Sequence, residues 1–416
     1  MAASEGVLPT QAEDCAKSTP PTQVGHAQSI MTVVRERRTA DGLLLVEPAT
    51  ADASPATLFA WCRENRVHLR AAVFSASSGL LLRGWDLQHC TQAEELIFDA
   101  IGFSRMEQYP KWFIDFNTRC ERLGVPAGGL VQKRDSRNAP DASPSAIQPP
   151  HVEFGLGPKR PRVVAFFCET PPAQAGETAL IYFPEAMASL SDTTRELLRT
   201  HGWWVPRSGV VQPALLVHPE SGLETLQCYT FSHAQTPLVL QAWQQLKADS
   251  SASGRPDLPH IDAVPYSGPD HHEMCAVRAD GALAPLGEAC SLELCRAMLR
   301  TLRLHSWQRG DVLIVDNVLY AHFRMPGRQP RKLHALFAEE IDSRTLRRAD
   351  APTCVHAGAA VPAKGAIAVT LSQLGPGGWR SVIWLLSWLP DLLFRLAGQL
   401  FWAKNSPGAR ILGYAA

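Results

Sequence analysis

The chain has 416 residues, enough for one large domain or two smaller ones. Forty basic residues balance forty acidic ones with no long run of Lys or Arg, which excludes a global electrostatic pull on nucleic acid or anionic lipid. Ten cysteines are scattered without a CxxC pair, the usage of reduced intracellular thiols, so neither a disulfide framework nor a cysteine zinc site is expected and the chain is assigned to the cytoplasm. The first residues carry no apolar signal region, and 1–40 read as a polar, Pro/Ser/Thr-bearing disordered segment. From about residue 55 the pattern becomes globular. "SPATLFAWCRENRVHLRAAVF" opens on a cap-like Ser-Pro and repeats its apolar residues at helical spacing. "GLLLRGWDL" (79–87) reads as a short buried strand ended by Arg-Gly, and "TQAEELIFDAIG" as an amphipathic helix with a glycine stop. Residues 123–150 are rich in turn formers and read as loop.

"RVVAFFCE" and "TALIYF" are predicted strands, and 184–202 a helix begun by proline and ended by His-Gly. The middle, 203–285, reads as loop-rich. Residues 289–306 form a strong helical pattern, and 307–340 read as two strands around a turn. A linker, 346–378, leads to "WRSVIWLLSWLPDLLFRLAGQLFWA" (379–403), which is long enough to span a bilayer but is interrupted by Pro390, Asp391 and Arg395. A helix lying at a membrane surface, with Trp384, Trp388 and Trp402 at headgroup level, fits this segment at least as well; so does a helix pair packed on the domain or on a partner subunit.

The chemistry centres on "PPHVEFG". His151 and Glu153 sit two apart, and on an extended strand such positions share a face. Both can then ligate one metal ion. Two such ligands and one distant histidine form the facial triad that holds ferrous iron and leaves positions open for oxygen chemistry. Alone, the pair is a weak signal, because the spacing arises by chance. A second, independent signal is "WQRGDVLIVDNVLYAHFRMPGRQPRKLHALF": an apolar strand, His322, a Pro-Gly turn, then Arg331 opening another strand.

Together "GLLLRGWDL", "HVEFGLGPKRPRVVAFFCETPPAQAGET" and the "WQRGDVLIVDN…AH…PRKL" segment, in this order, resemble the taurine dioxygenase-like (TauD/TfdA) family of iron(II)- and 2-oxoglutarate-dependent oxygenases, its clavaminate synthase-like branch especially. The resemblance spans roughly residues 55–340, and the oxygenase domain it implies is set at 55–345. It implies an α+β fold with a double-stranded β-helix, a cupin-like jelly roll, flanked by helices. It implies Fe(II), 2-oxoglutarate and O2 as cofactor and cosubstrates, with succinate and CO2 released as a small-molecule C–H bond is hydroxylated or otherwise oxidised. His151, Glu153 and His322 take the iron-ligand positions; the carboxylate is Glu, and its presence argues against a halogenase. Thr178 and Arg331 take the positions that hold the distal carboxylate of 2-oxoglutarate, where a planar guanidinium forks onto two oxygens.

Two departures stand out. The gap from His322 to Arg331 is shorter than in taurine dioxygenase, so Lys332 and Arg328 are alternative anchors. Ala335 occupies the position where that enzyme grips its sulfonate, which makes taurine an unsuitable substrate. Beside these roles stand plainer ones: His322 as a core histidine, Thr178 as a turn residue, Arg331 as a strand-start cation. Asp316 and Asn317 are expected to orient ligands or shape a turn rather than bind metal. Arg324 either faces the substrate or makes a structural ion pair. The adjacent His271–His272 pair is a poor chelate and reads as loop. Cys168 reads as a small apolar residue, and the Trp residues outside the tail as packing. The competing reading is a non-catalytic jelly-roll binding or scaffold protein docked through 379–403.

Overall fold

The computed structural model describes residues 33–348, apart from 77–78, 91, 107–149, 155–158, 201, 206–209, 228–235, 253–274, 278–282, 286 and 329. The chain runs through β1 (Val34–Arg38), β2 (Leu44–Pro48), α1 (Pro55–Glu64), α2 (Arg66–Phe74), β3 (Leu80–Leu82) and α3 (Ala93–Ile101). β4 (Lys159–Thr170), β5 (Gln174–Ala175) and β6 (Thr178–Tyr182) follow. Next come α4 (Phe183–Ala188), α5 (Asp192–Thr200), β7 (Gly202–Val205), β8 (Val210–Pro213), β9 (Leu215–Val217), β10 (Glu224–Leu226) and α6 (Thr236–Ala252). The last part holds β11 (Cys275–Val277), β12 (Leu283–Pro285), α7 (Glu288–Arg300), β13 (Leu302–His305), β14 (Val312–Asp316), β15 (Tyr320–Arg324), β16 (Gly327–Arg328) and β17 (Lys332–Asp342).

Local chemistry explains the clearest boundaries. Ser54 caps α1, its hydroxyl accepting from the Thr57 N–H at 3.3 Å, and Pro55 stands in the first turn, where its missing donor costs nothing. α1 and α2 break at Asn65, so the single helical pattern of 55–74 is a helix pair. Gly102 ends α3 in the left-handed conformation, φ 79°.

Strand alternation builds the layers. β4 turns Val163, Ala165 and Phe167 outward, together with Val312 and Ile314 of β14, against α1–α3. The alternate residues Val164, Phe166 and Cys168, with Leu313 and Val315, face inward. Likewise β6 sends Ala179 and Ile181 out under the helices α4–α7, where Ala321 and Phe323 of β15 join them. Leu180, Tyr182 and Tyr320 face in. The result is a six-stranded sheet, β1-β2-β3-β14-β4-β17, facing a three-stranded sheet, β13-β6-β15, across a shared apolar layer, with helices on both outer sides. Only β2 and β3 pair in parallel among the named strands; the other pairs are antiparallel.

The mixed α+β expectation holds at this level, whereas the larger described strands form two facing sheets, with no closed barrel among the described residues. Several further element expectations change. β1 and β2 precede residue 55, inside the stretch read as lacking globular pattern. The helix of 184–202 is two helices, α4 and α5, separated at Ser189–Ser191. The helix of 289–306 stops at Arg300, and the remainder is β13, paired with β6. The two strands of 307–340 are β14, β15, the short β16 and β17. The loop-rich middle contains α6 and the ribbons β7–β8, β9–β10 and β11–β12. Most of residues 1–40, the 123–150 loop up to residue 149, His271–His272 and the 379–403 segment lie outside the described residues. Among the described residues no helix is long and apolar enough to cross a membrane.

Candidate metal and diacid site

His322 lies on β15, on the face that carries Tyr320 and looks into the inter-sheet layer. His151 sits directly opposite, joined to it by a pair of backbone bonds: the His151 N–H donates to the His322 carbonyl at 3.1 Å and the His322 N–H to the His151 carbonyl at 3.0 Å. The two rings lie 4.6 Å apart. This segment is a single bridge rather than the strand expected from its spacing. Alternation still holds within it, since Val152 points the other way, into the layer under the helices.

Glu153 is placed by a different device. Asn317, fully buried at the end of β14, accepts from the Glu153 N–H at 2.9 Å and donates to the Glu153 carbonyl at 3.0 Å. The same amide donates to the Pro161 carbonyl at 2.8 Å. Just beyond, Phe154 takes a left-handed conformation, φ 56°, with its ring edge-on to Phe337. Glu153 Oε1 stands 3.2 Å from His322 Nε2 and 3.6 Å from His151 Nε2.

All three side chains are buried, and one ligand atom from each lies within 4.8 Å of the others. Burial alone would raise the Glu153 pKa; contacts with His151 and His322 outweigh it and hold the carboxyl below its usual range. Burial, and then the neighbouring His151, lower His322. A divalent first-row ion with nitrogen and oxygen ligands at about 2.1 Å places adjacent ligands on the order of 3 Å apart, so this donor set fits such an ion.

The second cluster lies along β6. Thr178 is buried, accepting from Trp307 Nε1 at 3.0 Å and from Arg331 Nη2 at 3.3 Å. A hydroxyl has two lone pairs and one proton. Both lone pairs are used here, so the Thr178 proton is left to donate. Arg331 also donates through Nε to the Gly176 carbonyl at 3.0 Å. That carbonyl is fixed by a small ribbon, β5 against β16, where Gly327 passes so close to Gly176 that a Cβ would strike its backbone. Burial, and then the charge of Arg324, bring Arg331 down to about 10.

Of the two alternative anchors, Lys332 pairs with Glu169 at 2.8 Å, and Arg328 is exposed on the ribbon. Asp316 does not reach the triad histidines; it meets Arg162 at 3.2 Å and His218 at 3.1 Å. Cys168 is fully buried, its thiol pushed up to about 12, first of all by burial, which fits the apolar reading. Trp307 was read as packing, yet it completes the hydroxyl shell of Thr178. Its only sequence signal is its place at the head of the "WQRGD" segment.

No protein-family model matches the chain, and the comparison with curated proteins returns no match. Among solved structures, the chain is similar to PvcB from Pseudomonas aeruginosa, with 18% identity and a TM-score of 0.44 over 77% of this chain and 95% of that one. A second PvcB structure, described as an Fe, alpha-ketoglutarate dependent oxygenase from an isonitrile synthetic pathway, gives 18% and 0.41 over 77% and 96%. A putative alpha-ketoglutarate dependent 2,4-D dioxygenase from Burkholderia xenovorans gives 13% and 0.40 over 76% and 100%. Overlaps this loose leave the chemistry to be argued from the side chains.

Proposed function

We propose that the protein is an iron(II)- and 2-oxoglutarate-dependent oxygenase built on a jelly-roll core and acting on a small organic molecule. The observation that carries the reading is the joint placement of two clusters on one inward face. His151, Glu153 and His322 would hold the ion. His322 is paired across the strands with Leu180, and Thr178 lies two residues along β6, about 7 Å away by strand rise. A five-carbon diacid spans that gap, reaching from the ion to the Thr178–Arg331 pair.

Each group at the far end has the right polarity. Arg331 brings a delocalised cation, and Thr178 retains only a proton to offer. Trp307 and Gly176 hold these two groups in place, so a carboxylate meets a preformed cradle. With iron bound, 2-oxoglutarate, O2 and a substrate C–H bond give succinate, CO2 and the corresponding alcohol. The chain's own part is to position the diacid and keep water from the centre. The apolar inter-sheet layer, with Phe166 edge-on to His322 at 5.0 Å, forms one dry wall.

An anaerobic titration of the full chain with Fe(II) and 2-oxoglutarate, followed by the visible charge-transfer band of the chelate, tests the reading. Wild type is expected to give the band; Glu153→Ala and Arg331→Ala are expected to weaken it. Folded wild type without a band removes the oxygenase reading and leaves the scaffold alternative.

A further inference from the structure

We propose that Arg324 anchors a carboxylate of the organic substrate, so that the site takes small organic acids. The inference rests on the oxygenase reading above and names its substrate class. On β15 the residues Ala321 and Phe323 pack outward under the helices, while Tyr320 faces the inter-sheet layer. Arg324 follows His322 by two residues and shares its inward face. It therefore stands about 7 Å along the strand from a triad histidine. Its partner across the strands is Thr178, the residue that meets Arg331 and Trp307. Arg324 thus lines the same mouth as both clusters.

Its surroundings differ from those of three half-buried arginines that meet carboxylates. Arg83 pairs with Asp311, Arg162 with Asp316 and Arg303 with Glu185. Among the described residues, no hydrogen bond or ion pair engages the Arg324 guanidinium, and the nearby charge that registers its presence is another cation, Arg331. Two guanidiniums in one neighbourhood and largely out of water favour anions; Glu177 is near Arg331, and no ion pair engages Arg324 among the described residues. One diacid carboxylate serves Arg331 and Thr178. A second carboxylate, carried by the substrate, serves Arg324. The guanidinium fork matches two carboxylate oxygens and is poorly matched by an amide, which brings no charge. With the anchor so near the triad, the oxidised carbon lies only a few bonds from the acid group.

The test uses the full chain, anaerobic, with Fe(II) and saturating 2-oxoglutarate. Matched acid and amide probes, hexanoate with hexanamide and phenylacetate with phenylacetamide, are titrated against the visible band, and the 2-oxoglutarate Kd is measured in parallel. In wild type the acids are expected to perturb the band at concentrations at least about tenfold below their amides. Arg324→Met is expected to bring acid and amide within about twofold, with the 2-oxoglutarate Kd changed by less than about threefold. Arg324→Lys keeps the charge and is expected to retain part of the preference; it carries the comparison if the Met variant does not fold. Acids no better than amides in wild type, including no response to either, overturn the proposal. So does a preference that survives Arg324→Met. A large loss of 2-oxoglutarate affinity in Arg324→Met also overturns it, by placing Arg324 in the cosubstrate cradle. Absence of the band before any probe is added is a separate result and condemns the oxygenase reading itself.

Discussion

Asn317 shows how one buried amide can aim a candidate metal ligand. Its side chain brackets the Glu153 peptide from both ends and ties it to Pro161, while its own N–H bonds to the Arg162 carbonyl. The carboxylate is therefore aimed by a residue from the strand that leads to His322. Replacing Asn317 by Leu strands a buried N–H and two buried carbonyls, each costing about 1–3 kcal/mol. Co(II) affinity, measured by calorimetry, is expected to fall about 10- to 100-fold. Asn317→Asp keeps the acceptor for the Glu153 N–H but loses both donors, and should fall between Leu and wild type. A lower Tm with unchanged Co(II) affinity would show that the amide merely supports the fold. The sequence made His151, Glu153 and His322 visible because their spacing and order carry chemistry. It left the aiming of Glu153 hidden, because a bond between residues 164 positions apart has no local trace.

At the scale of elements, the "LRG" end of β3 and the "RGD" start of β14 were legible as separate strand signals, and their coupling was not. Arg83 donates to Asp311 at 2.9 and 2.6 Å, and Asp311 also accepts from the Gln308 N–H at 2.8 Å. Asp311 is fully buried. Burial alone would raise its pKa; contacts with Arg83, His305 and the Gln308 backbone outweigh that and lower it. The stabilisation this carboxylate provides is thus fully present above its unfolded pKa, about 3.9, and is lost as pH falls through its lower folded value. Arg83→Met removes the largest of the opposing contacts and leaves a buried charge without its cation. Urea unfolding at pH 7 is expected to show a loss of about 3–5 kcal/mol. In the variant, burial favours the protonated acid, so its deficit should shrink as pH falls from 7 toward 4. A deficit that does not change over that range would place the effect in packing rather than in the carboxylate.

Helix ends with a local device were readable: Ser54 as a cap, Gly102 as a stop. β1 was not, because "VRERR" has an almost wholly exposed, charged sequence and owes its strand conformation to β2, with Arg37 reaching Glu47 diagonally across the pair. Nor was the change from helix to strand after Arg300. "LRLH" continues a helical apolar rhythm, and only pairing with β6 makes it extended.

For the whole molecule, the arrangement of layers decides where the chemistry sits. Both outer sheet faces are covered by helices, so the inward faces share one apolar layer that meets the polar clusters of β6 and β15. The triad joins two parts of the chain that are 169 positions apart, a short segment held by one bridge and one amide, and β15, which pairs with β6. An ion bound there favours the folded state alone, since the unfolded chain does not bring His151, Glu153 and His322 together. At about 100 times its Kd, a metal ion adds about 2.7 kcal/mol. For a chain of this size that is a rise in Tm of several degrees. Mn(II) or Co(II) should produce this rise in wild type, and a chelator should reverse it. His151→Ala should lose it, because only two ligands remain. Adding 2-oxoglutarate to the metal-loaded protein should raise Tm again, and Arg331→Ala should abolish this second step while keeping the first. A diacid effect that needs no metal, or a metal effect that survives His151→Ala, would separate the two clusters and break the single-site reading.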